Sequence, residues 1–229
     1  MKKITVLIPV YNELNTLETI LKKVEETNLC GLEKEIILID DYSTDGTRDI
    51  LKNLESKYKV LYHDKNMGKG AALKTGFANM TGDIVIIQDA DLEYEPKDYE
   101  NLVKEVYEGN ADIVYGSRLM GKPDDSFIWT HLWGNRLITF VANILYGQKL
   151  TDIETCYKVF KRELLDGVDV KSHRFDFEPE ITAKMLKKKA KFMELPISYS
   201  GRGHNEGKKI TWKDGFGAIW ALIKYRFVD

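Results

Sequence analysis

Cysteine is scarce in this sequence: Cys30 and Cys156 are the only two among 229 residues, far apart and outside any Cys-x-x-Cys or Cys/His spacing. That excludes a disulfide framework and a zinc site of the usual spacing, and it fits a reducing cytosol. Charge of one sign is lacking too, because 34 Lys and Arg face 36 Asp and Glu for a formal net of -2. Without a basic field there is no electrostatic footprint for DNA or RNA, and any basic surface has to be local. No uncharged apolar run reaches the roughly 18 residues that a spanning helix needs, the longest candidate being Leu137 to Tyr146. A role at a membrane therefore means lying on its cytoplasmic face. Met1 to Val10 carries two lysines and an apolar run but no small-residue cleavage site, so it reads as a strand. Glycine-rich nucleotide loops are also missing. Gly68-Lys69-Gly70 has neither the Walker A nor the GxGxxG spacing, which removes the kinase and dehydrogenase readings.

What is present is an alternation of periods. Ile4 to Val10, Ile36 to Ile39, Ile84 to Ile87 and Ile113 to Tyr115 are nearly continuous apolar runs, as strands buried on both faces read, with a weaker run at Val60 to Tyr62. Between them lie helical spacings, the clearest being Leu17, Ile20, Leu21 and Val24, with Asn15 and Glu18 placed as a capping-box variant. Strands alternating with helices predict an α/β fold with a mostly parallel sheet, in which ligands bind outside the carboxyl ends of the strands. Further on, helices are predicted at Trp133 to Leu145 and near Phe177 to Lys188, with a polar stretch around Thr151 to Lys158. The length suits one domain, residues 1–210, followed by an amphipathic segment, residues 211–229. In that segment Trp212, Phe216, Ile219, Trp220, Ile223 and Phe227 share a face, with Lys213, Lys224 and Arg226 around it. Such stripes usually pack inward or against a second subunit, so a homo-oligomer is one expectation and an interfacial helix the other.

Three polar groups follow strands and should converge: Tyr11, Asn12 and Glu13; Asp40 and Asp41; Asp89 and Asp91. Asp89-Ala90-Asp91 can aim two carboxylates at one hard cation, Mg2+ or Mn2+, with Glu93 as a third ligand, direct or through water. Taken alone Asp-x-Asp is a weak signal, since these acids could merely cap the helix starting near Pro96. Asp40 stands where a carboxylate can accept from a base N–H, and Pro9 and Tyr11 could flank a flat ring. The segment from Asp40 to Thr47 also suits a helix N-cap.

Pro9-Val10-Tyr11-Asn12-Glu13, Asp40-Asp41-Tyr42-Ser43-Thr44-Asp45-Gly46-Thr47, Asp89-Ala90-Asp91-Leu92-Glu93 and Gly116-Ser117-Arg118 follow one another in an order that resembles glycosyltransferase family 2. Thr151-Asp152-Ile153-Glu154-Thr155 and Pro196-Ile197-Ser198-Tyr199 extend the resemblance toward its dolichyl or polyprenyl phosphate mannosyl- and glucosyltransferases. The resemblance implies a GT-A fold and an inverting transfer from a GDP- or UDP-hexose. It further implies donor binding by Pro9, Tyr11, Glu13, Leu38, Asp40, Asp89, Ala90 and Asp91, and phosphate contacts from Arg118, Arg202 and Lys208. Two departures bear on the acceptor: Cys156 stands where such enzymes usually have Gly, and no Ser precedes the lysines after Arg202.

Two acceptors make different demands. A phosphate monoester is mostly dianionic at neutral pH and needs cations rather than a strong base, for which Arg118 and Arg136 are the candidates. A glycan hydroxyl needs a carboxylate within hydrogen-bond reach, Asp152 first and Glu178 second.

Overall fold

The computed structural model describes residues 1–120, 129–173, 176–201 and 212–228, with backbone alone at 129–132 and 212–214. Among them are seven strands, β1 (Lys3–Val10), β2 (Glu33–Asp40), β3 (Lys59–Tyr62), β4 (Ile84–Ile87), β5 (Ile113–Ser117), β6 (Lys158–Lys161) and β7 (Phe192–Pro196). Helices α1 (Leu17–Glu26), α2 (Thr47–Leu54), α3 (Lys69–Asn79) and α4 (Tyr99–Tyr107) connect the first five. Helices α5 (Trp129–Tyr146), α6 (Phe177–Lys187) and α7 (Trp212–Phe227) complete the set.

The five apolar runs are β1 to β5, as their periodicity predicts. They form one sheet in the order β3-β2-β1-β4-β6-β5-β7. All neighbours are parallel except β6, which runs against both β4 and β5. Neither β6 nor β7 is legible as a strand in the sequence. β6 is four residues, Lys-Val-Phe-Lys, with a lysine at each end; β7 is a half-exposed edge strand with Glu194 at its centre. Covered on both faces, Ile4, Val6, Leu7, Ile8, Ile37, Leu38, Ile39, Ile84, Val85 and Ile86 are all fully buried, each side chain contributing about 1.5–3 kcal/mol of hydrophobic stabilisation.

Helix α1 buries Leu17, Ile20, Leu21 and Val24 as predicted, but the capping box does not form. The helix starts at Leu17, so its N-cap is Thr16, and that hydroxyl turns back to the Glu13 carboxylate at 2.6 Å instead of capping the helix. A second core joins α5, α6 and α7 around Ile138, Ala142, Ala183, Ala218, Ala221 and Leu222. Helix α7 is therefore packed into the domain, through Ala218, Ala221, Leu222 and Tyr225.

Candidate active site

Val10 lies level with Asp40 and Leu7 with Ile87, so the carboxyl ends of β1, β2 and β4 open on one side. The chain after each of these strands holds a non-glycine residue in the left-handed region: Asn12 at φ 56°, Tyr42 at φ 68° and Leu92 at φ 63°. Such residues cost about 1–2 kcal/mol each, and their gathering at one end of the sheet marks a functional crevice. A cavity of about 580 Å³ lies there, lined among others by Asn12, Glu13, Asp45, Asp91, Leu92 and Ser200.

The first two strand-end groups are laced together. Asn12 N donates to Ser43 Oγ (3.0 Å), Thr44 N to Asn12 Oδ1 (2.8 Å) and Glu13 N to Thr47 Oγ1 (2.9 Å). Asp40 is fully buried and accepts from Ser43 N (3.1 Å) and Arg48 Nε. Arg48 itself lies 5.2 and 5.4 Å from the ring centres of Tyr42 and Tyr62. Asp41 accepts from Met67 N (2.8 Å) and Gly68 N (2.7 Å) and lies 2.8 Å from His63 Nδ1, which ties down the chain entering α3. The N-cap of α2 is Gly46, with no side-chain cap bond. The acids of this segment thus hold loops, and Asp45 rather than Asp40 or Asp41 bonds the first residue of α2, through Thr47 N at 3.0 Å. Pro9 and Tyr11 are half-buried beside this group, and Leu38 is fully buried mid-strand.

The Asp89–Glu93 turn rests on tyrosines. Gln88, fully buried, accepts from Tyr99 and from Tyr157 (2.8 Å) and donates to Asp89 O (2.8 Å). Tyr94 Oη accepts from Cys156 N (3.0 Å), and Tyr199 donates to the Glu93 carboxylate (2.8 Å). Glu93 N donates to Asp91 Oδ1 (3.1 Å). In the sequence Lys69 stands only in a segment that lacks the phosphate-loop spacing. Here its Nζ lies 2.7 and 2.9 Å from the two Asp89 oxygens and 2.9 Å from Glu178 Oε1. Burial alone would lower the Lys69 pKa, but Asp89 and Glu178 outweigh it and hold the ammonium well above its ordinary value. Gly70 makes this meeting feasible: a Cβ there would come within 2.3 Å of Ser172 O, on the chain that leads into α6 and Glu178.

The Asp89 and Asp91 oxygens are hard donors of the kind Mg2+ and Mn2+ take. Among the described residues no group of three or more His, Cys, Asp or Glu side chains is gathered for a metal, so two carboxylates with water and phosphate oxygens is the arrangement that fits. Asp89 would exchange Lys69 for the ion.

At the end of β5, Arg118 and Asp152 form a two-bond fork, Nε to Oδ2 and Nη2 to Oδ1, both 2.8 Å. Asp152 is fully buried and also accepts from Arg118 N (3.0 Å) and Asn135 Nδ2 (2.7 Å). Burial would raise its pKa, but Arg118 and Asn135 prevail and keep the carboxylate ionised below its ordinary value. With two hydrogen bonds at each oxygen, Asp152 has no acceptor position left for a substrate hydroxyl. The geometry thus favours a positioning role over the base role expected for it. The Arg118 guanidinium lies 5.3 Å from the Tyr199 ring centre. Arg136 is on the exposed side of α5, 5.7 Å from the Trp133 ring centre.

Beneath these residues lie Glu154 and Lys158. Burial, and then the nearby Glu178, pushes the Glu154 carboxyl up to about 8, with Oε1 unpartnered. Burial pulls Lys158 down to about 8. Its ammonium donates to Ile153 O (3.0 Å) and lies 4.6 Å from the Tyr115 ring centre. Burial raises the Cys156 thiol well above its ordinary pKa, which suits packing rather than nucleophilic work. Arg202 and Lys208 lie outside the described residues. Lys69, Asn135 and Arg48 are the residues beside these groups that sequence reasoning misses, since no local pattern marks the partner that defines each.

A sheet of this order, with helices on its faces and carboxylates after β1, β2 and β4, defines a GT-A-like fold. The chain belongs to glycosyl transferase family 2, whose family model matches residues 5–168. It is similar to a dolichol-phosphate mannosyltransferase from Pyrococcus furiosus, with 32% identity over 213 residues. That match takes in 90% of this chain but 59% of the relative, so the chain spans about three-fifths of that protein's length. Among solved structures, glucosyl-3-phosphoglycerate synthase from Mycobacterium tuberculosis in complex with Mn2+, UDP and phosphoglyceric acid superposes with a TM-score of 0.75 at 18% identity, over 100% of this chain and 80% of that one. The same synthase with Mn2+, UDP-glucose and phosphoglyceric acid gives 0.73 at 19% identity, over 100% and 81%. At such identities these likenesses speak for the fold.

Proposed function

We propose that this protein transfers a hexose, with inversion, from a GDP- or UDP-sugar to a polyprenyl phosphate at the cytoplasmic membrane face. The observation that carries the reading is the Arg118–Asp152 fork. At the acceptor side it supplies a fixed cation and a saturated carboxylate, which suits an acceptor already ionised and does not suit one that needs a base. The similarity to the Pyrococcus enzyme supports the same acceptor class.

In this reading an acceptor phosphate oxygen attacks the anomeric carbon. The new C1–O–P linkage forms as the bond from C1 to the β-phosphate oxygen breaks, and the nucleoside diphosphate leaves with the electron pair. Arg118 orients the acceptor phosphate, and its Asp152 partner keeps the guanidinium in one rotamer. Asp40, Pro9, Tyr11 and Glu13 take the nucleoside end, and Arg202 and Lys208 the donor phosphates. Asp89 and Asp91 would hold Mg2+ or Mn2+, which when bound neutralises charge growing on the diphosphate. No described helix is long and apolar enough to cross a membrane.

The test is nucleoside diphosphate release from a panel of GDP- and UDP-sugars, with Mn2+ or Mg2+, comparing a short polyprenyl phosphate with its dephosphorylated alcohol. Release that depends on the phosphate is the expected result and also identifies the base. Equal stimulation by the alcohol, or by glycans alone, would overturn it.

A further inference from the structure

The segment that runs from the acceptor-side fork into β6 contains one residue out of pattern. Asp152, Ile153, Thr155, Cys156, Tyr157 and Lys158 are all buried, and Glu154 among them is half-buried. Enclosed carboxyl oxygens normally have a partner, yet Glu154 Oε1 is sealed from solvent and makes no hydrogen bond. Its natural counter-ion, Lys158, is engaged elsewhere. That ammonium donates to Ile153 O (3.0 Å) and to Thr155 O, and lies 4.6 Å from the Tyr115 ring centre.

The neighbours of Glu154 define what it can bind. The charges acting on its carboxyl are those of Glu178, Lys158, Arg118 and Asp152. Glu178 belongs to the donor side, since Lys69 Nζ joins it at 2.9 Å to Asp89 at 2.7 Å. Arg118 and Asp152 are the fork of the acceptor side. Glu154 thus stands between the carboxylate that would hold the metal of the diphosphate and the guanidinium that would orient the acceptor phosphate. In the proposed transfer that interval holds the hexose, a neutral ring whose hydroxyls each donate and accept. A phosphate suits the place poorly, because Glu178 and Asp152 present like charge to it. Burial and Glu178 favour the protonated form of the Glu154 carboxyl, which donates as well as accepts and so matches a sugar hydroxyl.

We propose that Glu154 is a specificity-determining residue that hydrogen-bonds a hydroxyl of the transferred hexose. This rests on the nucleotide-sugar part of the proposed function and not on its polyprenyl phosphate part, because donor binding is measured without acceptor.

The test is calorimetric titration of the full chain, with Mn2+ present, by a GDP- or UDP-hexose, by its monodeoxy analogues and by the parent diphosphate, GDP or UDP. E154M, similar in length but without the oxygens, should bind the nucleotide hexose about tenfold or more weakly. It should bind the diphosphate as the wild type does and melt no lower. E154Q, which still donates and accepts, should stay close to the wild type. One monodeoxy analogue should bind the wild type about tenfold or more weakly than the full sugar, a penalty that disappears in E154M. Undiminished affinity of E154M for the nucleotide hexose would overturn the proposal. So would an equal loss for hexose and diphosphate, the mark of a merely structural role, or a deoxy penalty that E154M keeps at every position. Tolerance of every monodeoxy analogue by the wild type would overturn it whether or not E154M folds. Diphosphate release stimulated equally by polyprenol and its phosphate would instead overturn the acceptor reading and leave the Glu154 contact standing.

Discussion

Arg118 and Asp152 share two parallel 2.8 Å hydrogen bonds, and the carboxylate of the pair is fully buried. Removing one partner of a buried pair strands the other charge, at a cost of about 3–5 kcal/mol. Asp152→Asn is expected to lower the melting temperature and to raise the acceptor KM more than the donor KM, because Arg118 loses its fixed orientation. Arg118→Lys keeps the charge but not the fork. It should reduce kcat/KM for the phosphate acceptor by about 10–100-fold, the worth of one or two charged hydrogen bonds. Steady-state kinetics with each substrate varied in turn separates the two effects.

Asp91→Ala should abolish turnover, and chelator should abolish it in the wild type until Mn2+ or Mg2+ is returned. Undiminished nucleoside diphosphate release in excess chelator would remove the metal from the reaction.

Lys69 holds both oxygens of Asp89, so a cation taken up at Asp89 as proposed would have to displace an ammonium. Lys69→Met removes that competitor and leaves Asp89 and Glu178 without their shared cation. We expect the variant to bind Mn2+ several-fold more tightly in the absence of donor, by the linkage of competing ligands, and to turn over more slowly. Titration of free Mn2+ by electron paramagnetic resonance measures the first, and unchanged affinity would show that the ammonium does not contest the site.

Glu154 ties stability to pH. Its folded-state pKa is raised from 4.5 to about 8, with burial the main cause, so the folded state retains a proton that the unfolded chain gives up. Its contribution is fully present below pH 4.5 and is lost as the pH climbs toward 8. Lys158 has the opposite sign, with a pKa depressed to about 8, and its loss comes as pH falls from 10.5 through 8. Between pH 5 and 7 Glu154 therefore contributes a slope that Lys158 does not. Glu154→Gln should melt progressively higher than the wild type as pH is raised across that window, by thermal unfolding at stepped pH.

Much of this was legible in the residues, for identifiable reasons. Strands buried on both faces must be apolar throughout, so β1 to β5 announce themselves, and in a parallel sheet the polar residues that follow them must share one end. What escaped depends on contacts between distant residues. Lys69 meets Glu178 across more than half the domain, and no local pattern marks that. Asp152 is a base candidate in the sequence for a hydroxyl acceptor; the four donors that fill its oxygens come from other segments and favour positioning instead. Phe216, Trp220, Ile223 and Phe227 point outward because Ala218, Ala221 and Leu222 already fill the inward side. A stripe of aromatics alone cannot report which side is which.

The reversed strand β6 also has a consequence for how the chain is made. Ile84–Ile87 pairs with β1 on one side and awaits β6 on the other. The residues that fill that slot emerge about 70 positions later, which at about 5–20 residues per second leaves the slot empty for about 4–14 seconds during synthesis. Throughout that interval the nascent chain carries four aliphatic residues on an unpaired edge, a template for pairing with another chain. Expression yield should therefore depend on chaperone supply while Lys158–Lys161 is still in the ribosome.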